Sequence, residues 1–164
     1  MQKNKEKKFY IVCDNIRSAL NVGSIFRTSD ALGVNKIFLG GISAKPNHPK
    51  VIKAALGAEK YVDWEYYWQT WRIVEKLLNN GVSIISLEQS KSLKGLTLKP
   101  MVYDKFRPEF PLALVVGNEI KGISKGVLER SGDVIYLPMN GKKESLNVSV
   151  AFGVAGYYIN NWRK

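Results

Sequence analysis

Residues 135–158 read IYLPMNGKKESLNVSVAFGVAGYY, and the fold is decided by how this stretch divides. It opens inside an apolar run, 134–137, that Pro138 stops. A buried strand ends this way, because proline has no N–H to give a ladder. A polar loop, MNGKKE, follows, and from Ser145 to Tyr158 the chain carries no charge. That second run is too long for a strand. A helix wound from it is apolar on nearly every face, which predicts burial on more than one side. Ser149, Gly153 and Gly156 recur at i, i+4 and i+7, a bare stripe against which another backbone can close. Asn147 is out of place at the start of so apolar a helix, since a polar amide there needs partners. Two readings stay open: Ser145 caps the helix with Asn147 bonding locally, or the pair is kept for a ligand.

Working outward, 164 residues predict one domain, 1–164, with room for a substantial core. No apolar run approaches the ~20 residues of a membrane span. The first residues, MQKNKEKKF, lack the apolar core of a secretory signal. The single cysteine, Cys13, excludes an internal disulfide and fits a reducing, cytoplasmic setting. It lies within an apolar run and reads as a small core residue. A net charge of +11 points to a polyanionic partner, nucleic acid first. One histidine, His48 between two prolines, and one cysteine cannot build a zinc site, so no metal is expected.

Lys3, Lys5, Lys7 and Lys8 make residues 1–8 a basic, solvated tail that could also touch phosphates. A first buried strand is expected at 9–13, FYIVC. Val22, Ile25, Phe26 and Ser29 then repeat at helical spacing and Gly33 ends the helix. Arg27 lies off that stripe with Gly23 and Ser24 one turn before it, which leaves either an ordinary surface arginine or a bare shelf below a guanidinium where a sugar-phosphate could approach. Further strands are expected at 36–40, 61–68, 82–87 and 112–116, and short helices at 51–56, 69–79 and 124–129. The cluster Trp64, Tyr66, Tyr67, Trp68 and Trp71 reads as core or subunit interface, with base stacking as the alternative. A polar loop spans 88–99. After the strand 112–116 comes GNEIKGIS, in which Gly117 and Gly122 permit a tight loop and Glu119 sets a carboxylate at the strand end. Strands alternating with helices indicate an α/β fold with a mostly parallel sheet flanked by helices. The dinucleotide fingerprint G-x-G-x-x-G is absent, which argues against an oxidoreductase of that class.

Three segments together resemble the motifs of the TrmH-type (SpoU) branch of the SPOUT RNA methyltransferases. They are N-x-G-x-x-x-R at Asn21, Gly23 and Arg27, an apolar strand with G-x-E-x-x-G at Gly117, Glu119 and Gly122, and LPMNGKKESLNVS at 137–149. The resemblance implies a parallel α/β sheet with a C-terminal trefoil knot. It also implies a homodimer joined through the first-motif helix and the last helix, and transfer of a methyl group from S-adenosylmethionine to a ribose 2′-hydroxyl of RNA. tRNA is favoured over 23S rRNA because no appended RNA-binding domain is seen. The cofactor would be held by Leu87, Gly117, Asn118, Leu137, Ser145 and Leu146, largely through backbone. Arg27, Asn21, Glu119, Ser145 and Asn147 would form the catalytic set. Within it Arg27 would act by clamping a phosphate and polarising the hydroxyl, since a guanidinium stays protonated. Competing expectations are a knotted enzyme acting on a base nitrogen, and a non-catalytic RNA-binding or ribosome-assembly protein of the same fold.

Overall fold

A computed structural model describes residues 7–89, 93 and 95–164. The basic tail therefore lies mostly outside the described residues, as does part of the 88–99 loop. In chain order the elements are β1 (Phe9–Asp14), α1 (Ala19–Ala31), β2 (Lys36–Gly40), α2 (Pro49–Ala55), β3 (Trp64–Tyr67) and α3 (Thr70–Asn79), followed by β4 (Ser83–Leu87), β5 (Met101–Val102), β6 (Leu112–Gly117), α4 (Lys125–Leu128), β7 (Asp133–Tyr136) and α5 (Val148–Asn160). The strands form one sheet in the order β3-β2-β1-β6-β4-β7-β5, and each pair is parallel. The expected α/β class is what forms.

Each central strand is apolar on both sides because both faces of the sheet are covered. On one face Ile11, Cys13, Leu39, Leu114 and Val116 pack with Val22, Ile25 and Phe26 of α1 and Phe152, Ala155 and Ile159 of α5. On the other Val12, Phe38, Ala113 and Val115 meet Ile73, Val74 and Leu77 of α3 and Val127 and Leu128 of α4. Cys13 is fully buried, and desolvation pushes its thiol far above the usual range.

Several expectations are corrected. The last helix begins at Val148, not Ser145, and its N-cap is Asn147, whose Oδ1 accepts from the N–H groups of Ser149 and Val150. That helix is not buried all round within the chain. Phe152, Ala155, Gly156 and Ile159 are inside, whereas Val150, Val154 and Tyr157 are exposed. The small-residue stripe divides accordingly: a Cβ on Gly156 would meet Leu32 at 2.8 Å, while Gly153 faces open space. Gly23 is no shelf. It is buried under α2, where an added Cβ would sit 2.5 Å from the carbonyl oxygen of Val51 and 2.7 Å from Ala54 Cβ. The aromatic cluster is only partly core, for Trp68 is 81% exposed. Strand β5, two residues long at the sheet edge, carries no periodicity that could have announced it.

Candidate active site

Order along the sheet puts β6 at its middle, with β1 on one side and β4 on the other. In open parallel sheets the crevice outside the carboxyl ends, near such a reversal, is where ligands bind. A cavity of about 500 Å³ opens there. Its walls come from the exits of β4, β6 and β7 and from the start of α5. All six residues expected to hold a cofactor line it: Leu87, Gly117, Asn118, Leu137, Ser145 and Leu146. Glu119 and Asn147 line it too.

The loop after β6 is folded back tightly. The N–H of Asn118 donates to Gly122 O at 3.2 Å, and the N–H of Gly122 donates to Asn118 O at 2.9 Å. Gly122 has φ +71°, and a Cβ on Gly117 would lie 2.5 Å from Ile123 N. Both glycines thus serve the loop's own closure. Asn118 Oδ1 accepts from the N–H groups of Ile120 and Lys121.

Glu119 joins this loop to α1. Its carboxylate accepts from Arg17 N at 2.9 Å, Ser18 N at 3.0 Å and Asn21 Nδ2 at 2.8 Å. A negative group beside the first orphan N–H groups of a helix is favourable on both hydrogen-bond and dipole grounds. Partial burial raises the Glu119 pKa, but the donors from Asn21, Ser18 and Arg17 outweigh it and hold the carboxyl below its ordinary range. Asn21 Oδ1 in turn accepts from Asn147 Nδ2 at 3.1 Å, and Asn147 Oδ1 accepts from Ser149 Oγ at 2.6 Å. One relay, Glu119–Asn21–Asn147–Ser149, therefore connects Asn21 to segments 98 and 126 residues further along the chain. The capping and ligand readings of Asn147 are not exclusive: one amide caps α5 and braces α1.

Two of the expected catalytic residues stand apart. Ser145 is exposed and lines the cavity with its hydroxyl uncommitted among the described residues. Arg27 is exposed, makes no ion pair or hydrogen bond among the described residues, and does not line the cavity of its own chain. Six residues of rise set it ~9 Å along α1 from Asn21. It shares the solvent-facing ridge of α1 with Leu20, seven residues before it and 46% exposed.

Two acidic residues were not foreseen. Asp14, fully buried, accepts from Ser124 N at 2.7 Å and from Asn15 Nδ2 at 3.0 Å. Asn15, at φ +56°, offers its carbonyl to Asn118 Nδ2 at 2.8 Å. This pair ties the exit of β1 to the exit of β6. Glu88, on the cavity wall, accepts from Ile123 N at 2.8 Å and Gln89 N at 2.9 Å. The available signal was a carboxylate directly after an apolar strand, in FYIVCD and VSIISLE. Electrostatically the cavity differs from the chain as a whole: Glu88, Glu119 and Glu144 line it and, among the described residues, no lysine or arginine does, although the net charge is +11. Among the described residues no group of His, Cys, Asp or Glu is placed to hold a metal ion.

Residues 8–157 match the SpoU rRNA Methylase family. A tRNA (guanosine(18)-2'-O)-methyltransferase of Aquifex aeolicus is 32% identical over 98% of this chain and 72% of its own. A 23S rRNA (guanosine(2553)-2'-O)-methyltransferase of Bacillus subtilis is 27% identical over 91% of this chain and 56% of its own. Among solved structures, an AdoMet-bound rRNA methyltransferase from Sinorhizobium meliloti superposes with a TM-score of 0.85 at 24% identity, covering 96% of this chain and 57% of that one. The chain spans less than two thirds of the length of several curated relatives that it matches.

Proposed function

The chain belongs to the SpoU rRNA methylase family, and on that premise we propose that it transfers a methyl group from S-adenosylmethionine to a ribose 2′-hydroxyl of RNA. The single observation that carries the reading is a cavity at the carboxyl ends of β4, β6 and β7 whose charged lining, among the described residues, is acidic on a strongly basic chain. Its lining fits a sulfonium: the carboxylates of Glu88 and Glu119 lower the energy of a positive charge there and disfavour a phosphate, so a cationic donor is separated from a polyanionic acceptor. Carbonyl and N–H groups of the loops at Leu87, Gly117, Asn118, Leu137, Ser145 and Leu146 would hold the adenosine. When bound, the cofactor would supply an electrophilic methyl for the 2′-oxygen.

What the chain's own residues contribute is orientation. The Glu119–Asn21–Asn147 relay fixes the cavity's outer lip. Ser145 Oγ is free to donate to the acceptor ribose. Arg27 would clamp the adjacent phosphate and favour the ionised hydroxyl. Because Arg27 lies off its own cavity, we assign it to the cavity of a second copy. Support comes from the apolar face that surrounds it, formed by Leu20, Val150, Val154 and Tyr157, all more than 40% exposed in the single chain. A homodimer through α1 and α5 would cover that face and make each site from two chains. A C-terminal trefoil knot belongs to the same reading: β7 is the last strand, yet it lies between β4 and β5.

tRNA is the substrate we favour, with 23S rRNA as the second candidate; relatives of both kinds are similar to the chain. The test is Arg27→Ala. Turnover should fall ~10²–10³-fold, the scale of losing one preorganised charge at a developing oxyanion, while cofactor affinity measured by calorimetry stays within a factor of two. Normal methylation by this variant would refute the assignment. Absence of cofactor binding by the wild type would favour a non-catalytic RNA-binding protein.

A further inference from the structure

The carboxyl edge of the sheet continues beyond the cavity, from β6 across β1 and β2 to β3. Along it the exit loops expose Ile120, Ile42 and, directly after β3, Trp68. Three inter-strand steps of ~4.8 Å put Trp68 ~15 Å from the cavity. Trp68 makes no ring contact or hydrogen bond among the described residues, whereas Trp71 is half-buried with the guanidinium carbons of Arg72 and Arg130 each 5.2 Å from its ring. The loop leading from the cavity into α4 carries Lys121, and Lys125 opens α4; both are exposed, Lys125 with Glu129 3.6 Å away, and Gly126 of α4 lies against Trp71 of α3. Cations therefore accompany the edge from the cavity to the free indole.

The indole also has a firm base. Edge strand β3 is held by Glu65, whose carboxylate takes Lys36 Nζ at 2.7 Å and Lys76 Nζ at 2.8 Å; these two lysines bring its pKa down to about 2. The N–H of Gly41 donates to Tyr67 O at 3.0 Å, and Lys45 Nζ lies 4.2 Å from the Tyr66 ring centroid. A large exposed aromatic at the end of an anchored strand is a stacking platform for an unpaired base.

We propose that this edge is the path of the RNA strand away from the methylated ribose, with Trp68 stacking on an unpaired base a few nucleotides distant and Lys121 and Lys125 on the intervening phosphates. The substrate is then an RNA whose target lies in a loop or single-stranded segment, since a paired base must first be unpaired and unstacked to reach the indole. This rests on the RNA methyltransferase reading above. The experiment uses the full chain and undermethylated total RNA from cells lacking it. Trp68→Ala should raise KM for RNA on the order of 10-fold, with cofactor affinity and melting temperature unchanged, and Trp68→Phe should recover most of the loss. Joint substitution of Lys121 and Lys125 by alanine should flatten the salt dependence of RNA binding by ~0.7 per charge. An unchanged KM in Trp68→Ala overturns the proposal, as does a change in sedimentation, which would make the patch an interface between copies. Binding is read separately by quenching of tryptophan fluorescence with oligouridylate. A wild-type protein inactive on every RNA would defeat the enzyme reading, while loss of quenching in Trp68→Ala would still support the stacking site.

Discussion

Glu119 takes three donors from the first turn of α1 and its approach, and its carboxylate is held in the ionised form by them. Since the folded pKa lies below the unfolded one, the stability it contributes is complete above the unfolded value near ~4.3. That stability is lost as the pH falls through the folded value. Glu119→Gln keeps the shape but removes the charge. It should lower stability by ~1 kcal/mol at pH 7 and flatten the loss between neutral and acid pH, measured as the urea midpoint against pH; superimposable profiles would contradict the role. Asn21→Ala breaks the relay at its middle, leaving Asn147 Nδ2 without its acceptor. Activity should fall while cofactor affinity, which needs the carboxyl-edge loops, holds within a few-fold; equal activity would refute a positioning role. Glu119, Asn21 and Asn147 could be named from the sequence only through the family resemblance, since the residues alone left a solvated carboxylate and a local cap as open readings. Asp14 and Glu88 could not, because their partners, Ser124 N and Ile123 N, are backbone groups far away in the chain.

At the scale of elements, α1 is clamped from two sides. Its buried stripe meets the sheet, and Gly23 lets α2 approach to van der Waals limits. Gly23→Ala would press a Cβ against the Val51 carbonyl, so despite a better helix propensity it should destabilise by ~1–3 kcal/mol, visible as a lower melting temperature. Stabilisation would mean that α2 can yield. The apolar periodicity identified α1 correctly because one face of that helix is buried inside the chain. It misjudged α5 because composition cannot say which apolar face meets the same chain and which is left open. The start of α5 was likewise misplaced by three residues: Ser145 and Asn147 are both good caps, and only the contact with Asn21 distinguishes them. Val154→Asp, on the open face of α5, should convert a dimer to monomers by sedimentation, with little change in the monomer's own fold. Mixing inactive Arg27→Ala with inactive Ser145→Ala protein should then restore activity, as a site shared between copies requires; no restoration would place Arg27 in its own chain's chemistry or in none.

Over the whole molecule the charge is +11, yet among the described residues the ionisable side chains lining the cavity are glutamates. RNA affinity should fall steeply with salt through counterion release, whereas cofactor affinity should move little. A flat salt response of RNA binding would contradict the basic-surface account. The parallel α/β class and the two-sided core were legible because the central strands are unbroken apolar runs bounded by glycine and proline. Strand order was not, since the insertion of β6 between β1 and β4, and of β7 between β4 and β5, is set by pairings that leave no local mark. That same order brings the exits of β4, β6 and β7 around one cavity. The most direct measurement of what this arrangement does is nucleoside analysis of undermethylated RNA after incubation with the protein and methyl-labelled S-adenosylmethionine. The label should appear in a 2′-O-methylated nucleoside, recovered as an alkali-resistant dinucleotide; label on a base, or none in any RNA, would contradict the account.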